Sequence, residues 1–389
     1  MKALPVCCSL ALCISYAIAE EIYWEPEVYP DNQIFPSLII GTATMRSESE
    51  VFPAWEGNHI GEEQGIVGAS VEGAPDGSEV ELVVHGNDLF RESRVKGYAE
   101  DWEPLNIHPK ISWDYGKLAS VRQIVPLDIT MELFIDGKSL GEKTVTAALR
   151  SVNDCLYGVV ESGDDGEYSD YSWLFAAYVN EDHPWVDQTL KEALDTGIVS
   201  SFDGYQSNSP EQVLRQVFSI WNVMQRRGFR YSSITSTAGA SNSAHSQHVR
   251  LFEDSINAAQ ANCVDGSVLL AALLRKIGIE CSLVLIPGHM FLAFSLDEDT
   301  QLGLETTMMG DANLPAIDDK RLRSFLKFDP AEPAKDESWN TFEAAIDTGT
   351  EALKEAEKKS EDDSDYQIIE IDAARQLGIL PISSRILGK

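Results

Sequence analysis

Cys263, His289 and Glu305 lie close together in the chain. A thiol, an imidazole and a carboxylate are the parts of an activated nucleophile. The imidazole takes or shares the thiol proton, and the acid orients the imidazole. Each residue alone has an ordinary explanation: a cysteine ahead of an apolar helix is commonly a small buried hydrophobe. A histidine at a strand start is commonly structural, and Glu305 could be a surface acid. Their order and placement favour the joint reading.

The elements that must position them are legible. Asn262-Cys263-Val264-Asp265-Gly266-Ser267 leads into an apolar helical run, Val268 to Leu274. Arg275-Lys276-Ile277-Gly278 closes that helix with basic residues and a glycine stop. Cys263 therefore sits at a helix start, where the dipole and free N–H groups favour a thiolate. A strand follows at Ser282 to Ile286, then the Pro287-Gly288 turn, then a strand from His289 to Leu296. Asp297-Glu298-Asp299 is a polar turn before a third strand, Leu302 to Glu305. A hairpin centred on Asp297 sets His289 opposite Glu305, on one face.

The pattern Cys263…Ala271-Ala272-Leu273-Leu274-Arg275-Lys276-Ile277-Gly278-Ile279…His289-Met290-Phe291…Leu304-Glu305-Thr306-Thr307 resembles the bacterial transglutaminase-like superfamily. The upstream helix 210 to 227 and Gly228-Phe229-Arg230-Tyr231 are similar to that family's lead-in to the nucleophile. The resemblance covers roughly 180 to 310. It implies a papain-like α+β core with Cys263, His289 and Glu305 as catalytic residues. Its members include transglutaminases, amidases, cysteine peptidases and inactive binding versions. Glu305 stands where Asp is usual, and the step from Cys263 to His289 is at the short end for the family.

The expected chemistry is attack by the Cys263 thiolate on an amide carbonyl, giving a thioester. His289 protonates the leaving amine and then serves as base. The Cys263 N–H and one side chain among Gln247, Gln260 and Asn262 would meet the oxyanion. Water needs no second binding site, so hydrolysis is favoured over cross-linking. No cofactor or metal is expected. A zinc site using Cys263, His289, Glu305 and His245 or His248 is the lesser alternative, because no C-x-x-C or H-E-x-x-H pair is present. A Cys263–Cys281 bridge and a noncatalytic peptide- or glycopeptide-binding groove are the others. A Cys155–Cys281 bridge would leave Cys263 free.

The remaining sequence sets the frame. Of 389 residues, 63 are Asp or Glu and 30 are Lys or Arg, for a formal charge of −33. That balance opposes nonspecific nucleic-acid binding, which needs a basic surface, and docking on anionic lipid. The resemblance implies a protein or peptide substrate, cell-wall peptides among them. Lys2, the apolar run Leu4 to Ile18 and Ala17-Ile18-Ala19 read as a signal peptide over 1–19, hence an exported, periplasmic or extracellular protein with no membrane span after cleavage. Cys7, Cys8 and Cys13 would leave with it. Residues 20–154 alternate like strands, with Glu79 to Val84 and Met131 to Ile135 the clearest, Asp136-Gly137 as a hairpin turn and frequent prolines. A β-sandwich is the simplest form. Periodicity turns helical over 155–330, where Ser209-Pro210 starts a helix whose stripe of Val213, Val217, Phe218, Trp221 and Met224 is a buried face. Residues 331–365 carry 12 acids against 4 lysines. This stretch reads as flexible or loosely helical, and the segment 331–389 as an acidic C-terminal piece whose apolar end docks on the body. Ser360 to Asp365 lacks the ordered acid pattern of a calcium loop. The expected whole is multidomain: an all-β sandwich followed by a papain-like, transglutaminase-like core.

Overall fold

The computed structural model describes residues 22–45, 58–100, 104–160, 167–233, 241–315 and 333–383. The signal segment 1–19 lies outside them. The chain is a mixed α+β structure with several separate sheets, including a curled half-barrel. Among the described residues, no helix is long and apolar enough to cross a membrane.

The first part is built from strands, as the alternation requires. A four-stranded sheet joins Tyr23–Val28, Val67–Glu72, Leu105–His108 and Asn58–Gly61 in that order. A five-stranded sheet runs Gln33–Ile34, Lys138–Leu149, Val125–Ile135, Glu79–Val84 and Ser93–Tyr98. Its central hairpin turns at Asp136-Gly137, both with positive φ, as an Asp-Gly turn demands.

The sheet that carries the candidate chemistry is fully antiparallel. Its order is Gln301–Leu304, His289–Ser295, Cys281–Ile286 and Gln367–Glu370. The Cys263–Lys276 helix packs against its two central strands. Eleven of that helix's fourteen residues are buried, from Val264 to Leu274, so it is a core helix and not an amphipathic one. Each large apolar side chain so buried contributes roughly 1.5–3 kcal/mol. Gly278, at φ +77°, ends the helix and turns the chain into the sheet.

The acidic C-terminal stretch is more ordered than its composition suggests. Pro333–Lys359 is one helix. Trp339, Phe342, Ile346 and Leu353 are buried along it at helical spacing, while Glu351, Glu355 and Glu357 are on the exposed side and Glu343 is itself buried. Phe342 lies between Phe218 and Trp221 of the Pro210–Arg226 helix, and Trp221 Nε1 donates to Thr341 Oγ1 at 3.0 Å. Trp221 and Met224 are fully buried core, as their spacing indicates. The long helix crosses the Gln301–Leu304 strand where Gly349 meets Gly303; a Cβ on Gly349 would stand 2.6 Å from the Gly303 carbonyl carbon. The apolar end then returns as the edge strand Gln367–Glu370.

Candidate active site

The Cys263 end of its helix is held by reciprocal caps. Asn262 Oδ1 accepts the Asp265 N–H at 2.7 Å, and Asp265 Oδ2 accepts the Asn262 N–H at 3.2 Å. Asp265 is fully buried and reaches further: its Oδ1 accepts the Arg250 N–H at 2.8 Å, and Arg250 Nη1 lies 3.2 Å from Oδ2. Burial pushes the Asp265 carboxyl up, against the opposing pull of these donors and the Arg250 charge. The network fixes where the first helical turn begins. Cys263 is its first residue and is half-buried. The N–H groups of Cys263 and Val264 have no acceptor within the helix and stay available at its start.

His289 bridges the other two groups. Its Nε2 lies 2.6 Å from Glu305 Oε2. The Cys263 thiol lines the same cleft as the ring and acts on it. The His289 pKa is raised to about 10, first by the Cys263 thiol and then by the hydrogen bond to Glu305, against the cost of burial. Glu305 is 6% exposed. Its second oxygen, Oε1, accepts from the Thr307 N–H at 3.0 Å and the Thr307 hydroxyl at 2.6 Å. Burial pushes the Glu305 carboxyl up, but His289 and Thr307 outweigh it, and the acid ends below the usual carboxylate range.

The hairpin register differs from the one expected. Leu292 pairs with Leu304 and Ser295 with Gln301, so the hairpin centres on Glu298, not Asp297. Continued, that register sets Glu305 beside Phe291. A shift of one in the centre moves the partner by two, which keeps it on the same face. His289 and Glu305 thus meet as diagonal neighbours.

The thiol and imidazole open on a cleft of about 410 Å³. Of the three oxyanion candidates, Gln247 lines this cleft, and its Nε2 donates to the His248 carbonyl at 3.0 Å. Gln260 is exposed and outside the lining. Asn262 is spent as the helix cap and is also outside it. His248 instead pairs with Asp154, Nδ1 to Oδ1 at 3.3 Å, and His245 packs beside Tyr157 with ring centroids 6.0 Å apart. Cys155, Cys263 and Cys281 are all free thiols, so neither proposed disulfide forms. Burial pushes the Cys281 thiol up to about 12 and the Cys155 thiol well above its ordinary value.

Further residues stand at the site, and of these Tyr231 alone, in the Gly228-Phe229-Arg230-Tyr231 lead-in, carries a sequence signal. Tyr231 is half-exposed beside the site. Burial raises its phenol, and so do the charges of Cys263 and Glu305. Tyr157, Tyr168, Asp170 and Ser172 line the cleft from the strands Asp154–Val160 and Tyr168–Asp170 and the turn after them. Ser364, Asp365 and Gln367 line it from the acidic segment. Comparison with family models, curated proteins and solved structures finds no match.

Proposed function

We propose that the protein is an exported, thiol-dependent amide hydrolase or acyl transferase with a transglutaminase-like, papain-like core. The N-terminal sheets form a sandwich beside it. The observation that carries the reading is His289, which shares its cleft with a helix-start thiol and is hydrogen-bonded, at 2.6 Å, to the buried Glu305.

In this reading the Cys263 thiolate attacks the carbonyl carbon of a protein or peptide amide. The C=O electron pair moves onto oxygen and is met by first-turn N–H groups and, at the cleft wall, by Gln247. The C–N bond then breaks, the amine leaves with the His289 proton, and a thioester remains. Water or an incoming amine then attacks the thioester carbon, its proton passing to His289 as the new C–O or C–N bond forms. The tetrahedral adduct re-forms its C=O as the C–S bond breaks, which restores the thiolate and releases the acid or the new amide. Glu305 holds the ring in one tautomer throughout.

The test is alkylation of the folded chain by iodoacetamide at pH 7, with mass spectrometry to place the adduct. Cys263 should be modified well ahead of Cys155 and Cys281, and His289→Ala should slow it. A Cys263 that stays unmodified in folded protein would leave a cleft that binds peptides or glycopeptides without cleaving them.

A further inference from the structure

We infer that the cleft beside Cys263 contains a subsite for a cationic side chain, held between Asp170 and Asp365 against the rings of Tyr168 and Tyr157. The inference rests on the thiol-acyl reading above and names the class of substrate it would take.

The two acids come from distant parts of the chain. Asp170 ends the strand Tyr168–Asp170, and Asp365 precedes the edge strand Gln367–Glu370. Both line the same cleft as Cys263 and His289. Both also act on one phenol: Tyr168 is pushed up to about 12, first by burial and then by the charges of Asp170, Tyr157 and Asp365. None of the described residues lining the cleft is a lysine or arginine. Among the described residues, neither acid forms an ion pair. Asp170 is held in place by neutral donors. Its Oδ1 accepts the Ser172 N–H and its Oδ2 the Ser172 hydroxyl, each at 3.0 Å.

Two like charges lining one cleft repel each other until a countercharge arrives. A substrate ammonium or guanidinium supplies it, and the tyrosine faces attract the same charge. The cleft volume is in the range of ligand sites. Held between carboxylates, an ammonium stays protonated. It is therefore a recognition group and not the attacking amine. A surface this acidic carries many carboxylates, but these two share a cleft with a nucleophile, and the His289 imidazolium of that cleft is already paired with Glu305.

The experiment compares N-acetyl-lysyl and N-acetyl-norleucyl chloromethyl ketones on the full chain, with mass spectrometry locating the adduct. The lysyl reagent should modify Cys263 at least tenfold faster, with the difference in KI. In an Asp170→Asn/Asp365→Asn double variant that ratio should fall toward one. Asp365→Asn alone, at an exposed turn, should give an intermediate ratio. Glu298→Gln makes the same charge change outside the cleft and should keep the full ratio. Equal labelling of Cys263 by both reagents overturns the cation subsite and leaves the thiol reading standing. Failure of both reagents to label Cys263 overturns the thiol reading, and the subsite with it.

Discussion

Glu305 reaches His289 on the diagonal of the hairpin, Oε2 to Nε2 at 2.6 Å, with its other oxygen occupied by Thr307. Glu305 is the first residue beyond the Gln301–Leu304 strand, and its N–H bonds the Ala345 carbonyl of the long C-terminal helix at 2.9 Å. The acid is thus fixed by its backbone as well as by both oxygens.

Removing its charge should weaken the imidazolium. A hydrogen bond to a charged group is worth about 1.5–3 kcal/mol, so Glu305→Gln should slow iodoacetamide modification of Cys263 at pH 7 by on the order of tenfold. Glu305→Asp withdraws the carboxylate by one methylene and should be impaired as well, because the diagonal contact needs the longer arm. Rates of both variants equal to the parent would show that Glu305 does not govern the ring.

The proton on His289 has its own signature. Its pKa stands near 10, above the ordinary ~6.5 of a histidine. The folded chain therefore holds a proton that the unfolded chain releases between those values. The associated stability is complete below about pH 6.5 and is lost as pH rises through about 10. In NMR titrations the His289 ring should stay charged at pH 8. Cys263→Ala should lower its midpoint most, since the thiol contact is the largest cause, and Glu305→Gln should lower it less. A midpoint near 6.5 in the parent protein would refute the ion pair.

What could be read from sequence follows the range of each interaction. The helix after Cys263, its stop at Gly278 and the three following strands are local events, set by apolar runs and turn residues. Each lies within a residue or two of its expected bounds. The hairpin centre was off by one, but side-chain alternation has a period of two, so the pairing of faces survived. The cleft walls were not legible. Gln247 reaches the site because Ala244–His248 pairs with Asp154–Val160, a contact across some ninety residues that no local pattern encodes. The edge strand Gln367–Glu370 is equally remote. The helix Pro333–Lys359 was readable in principle from Trp339, Phe342, Ile346 and Leu353. The acid count masked that stripe, because composition averages over a face that is exposed and one that is not.

Gly266 ties the two halves of the site together. A Cβ there would stand 2.8 Å from Thr306 Oγ1 and 3.1 Å from Thr306 Cβ. Thr306 is branched and buried, and its hydroxyl already donates to the Cys263 carbonyl at 3.4 Å, so it cannot swing aside without loss. Relief must come from moving the backbone that carries Glu305. Gly266→Ala should therefore destabilise the fold by about 1–3 kcal/mol, as overpacking does, despite alanine's better helix propensity. It should also slow Cys263 alkylation at pH 7, because Glu305 leaves the ring. Denaturant unfolding and alkylation kinetics on the same variant check both. A stabilised Gly266→Ala with parental alkylation would mean that the helix and the Thr306 segment are not pressed together.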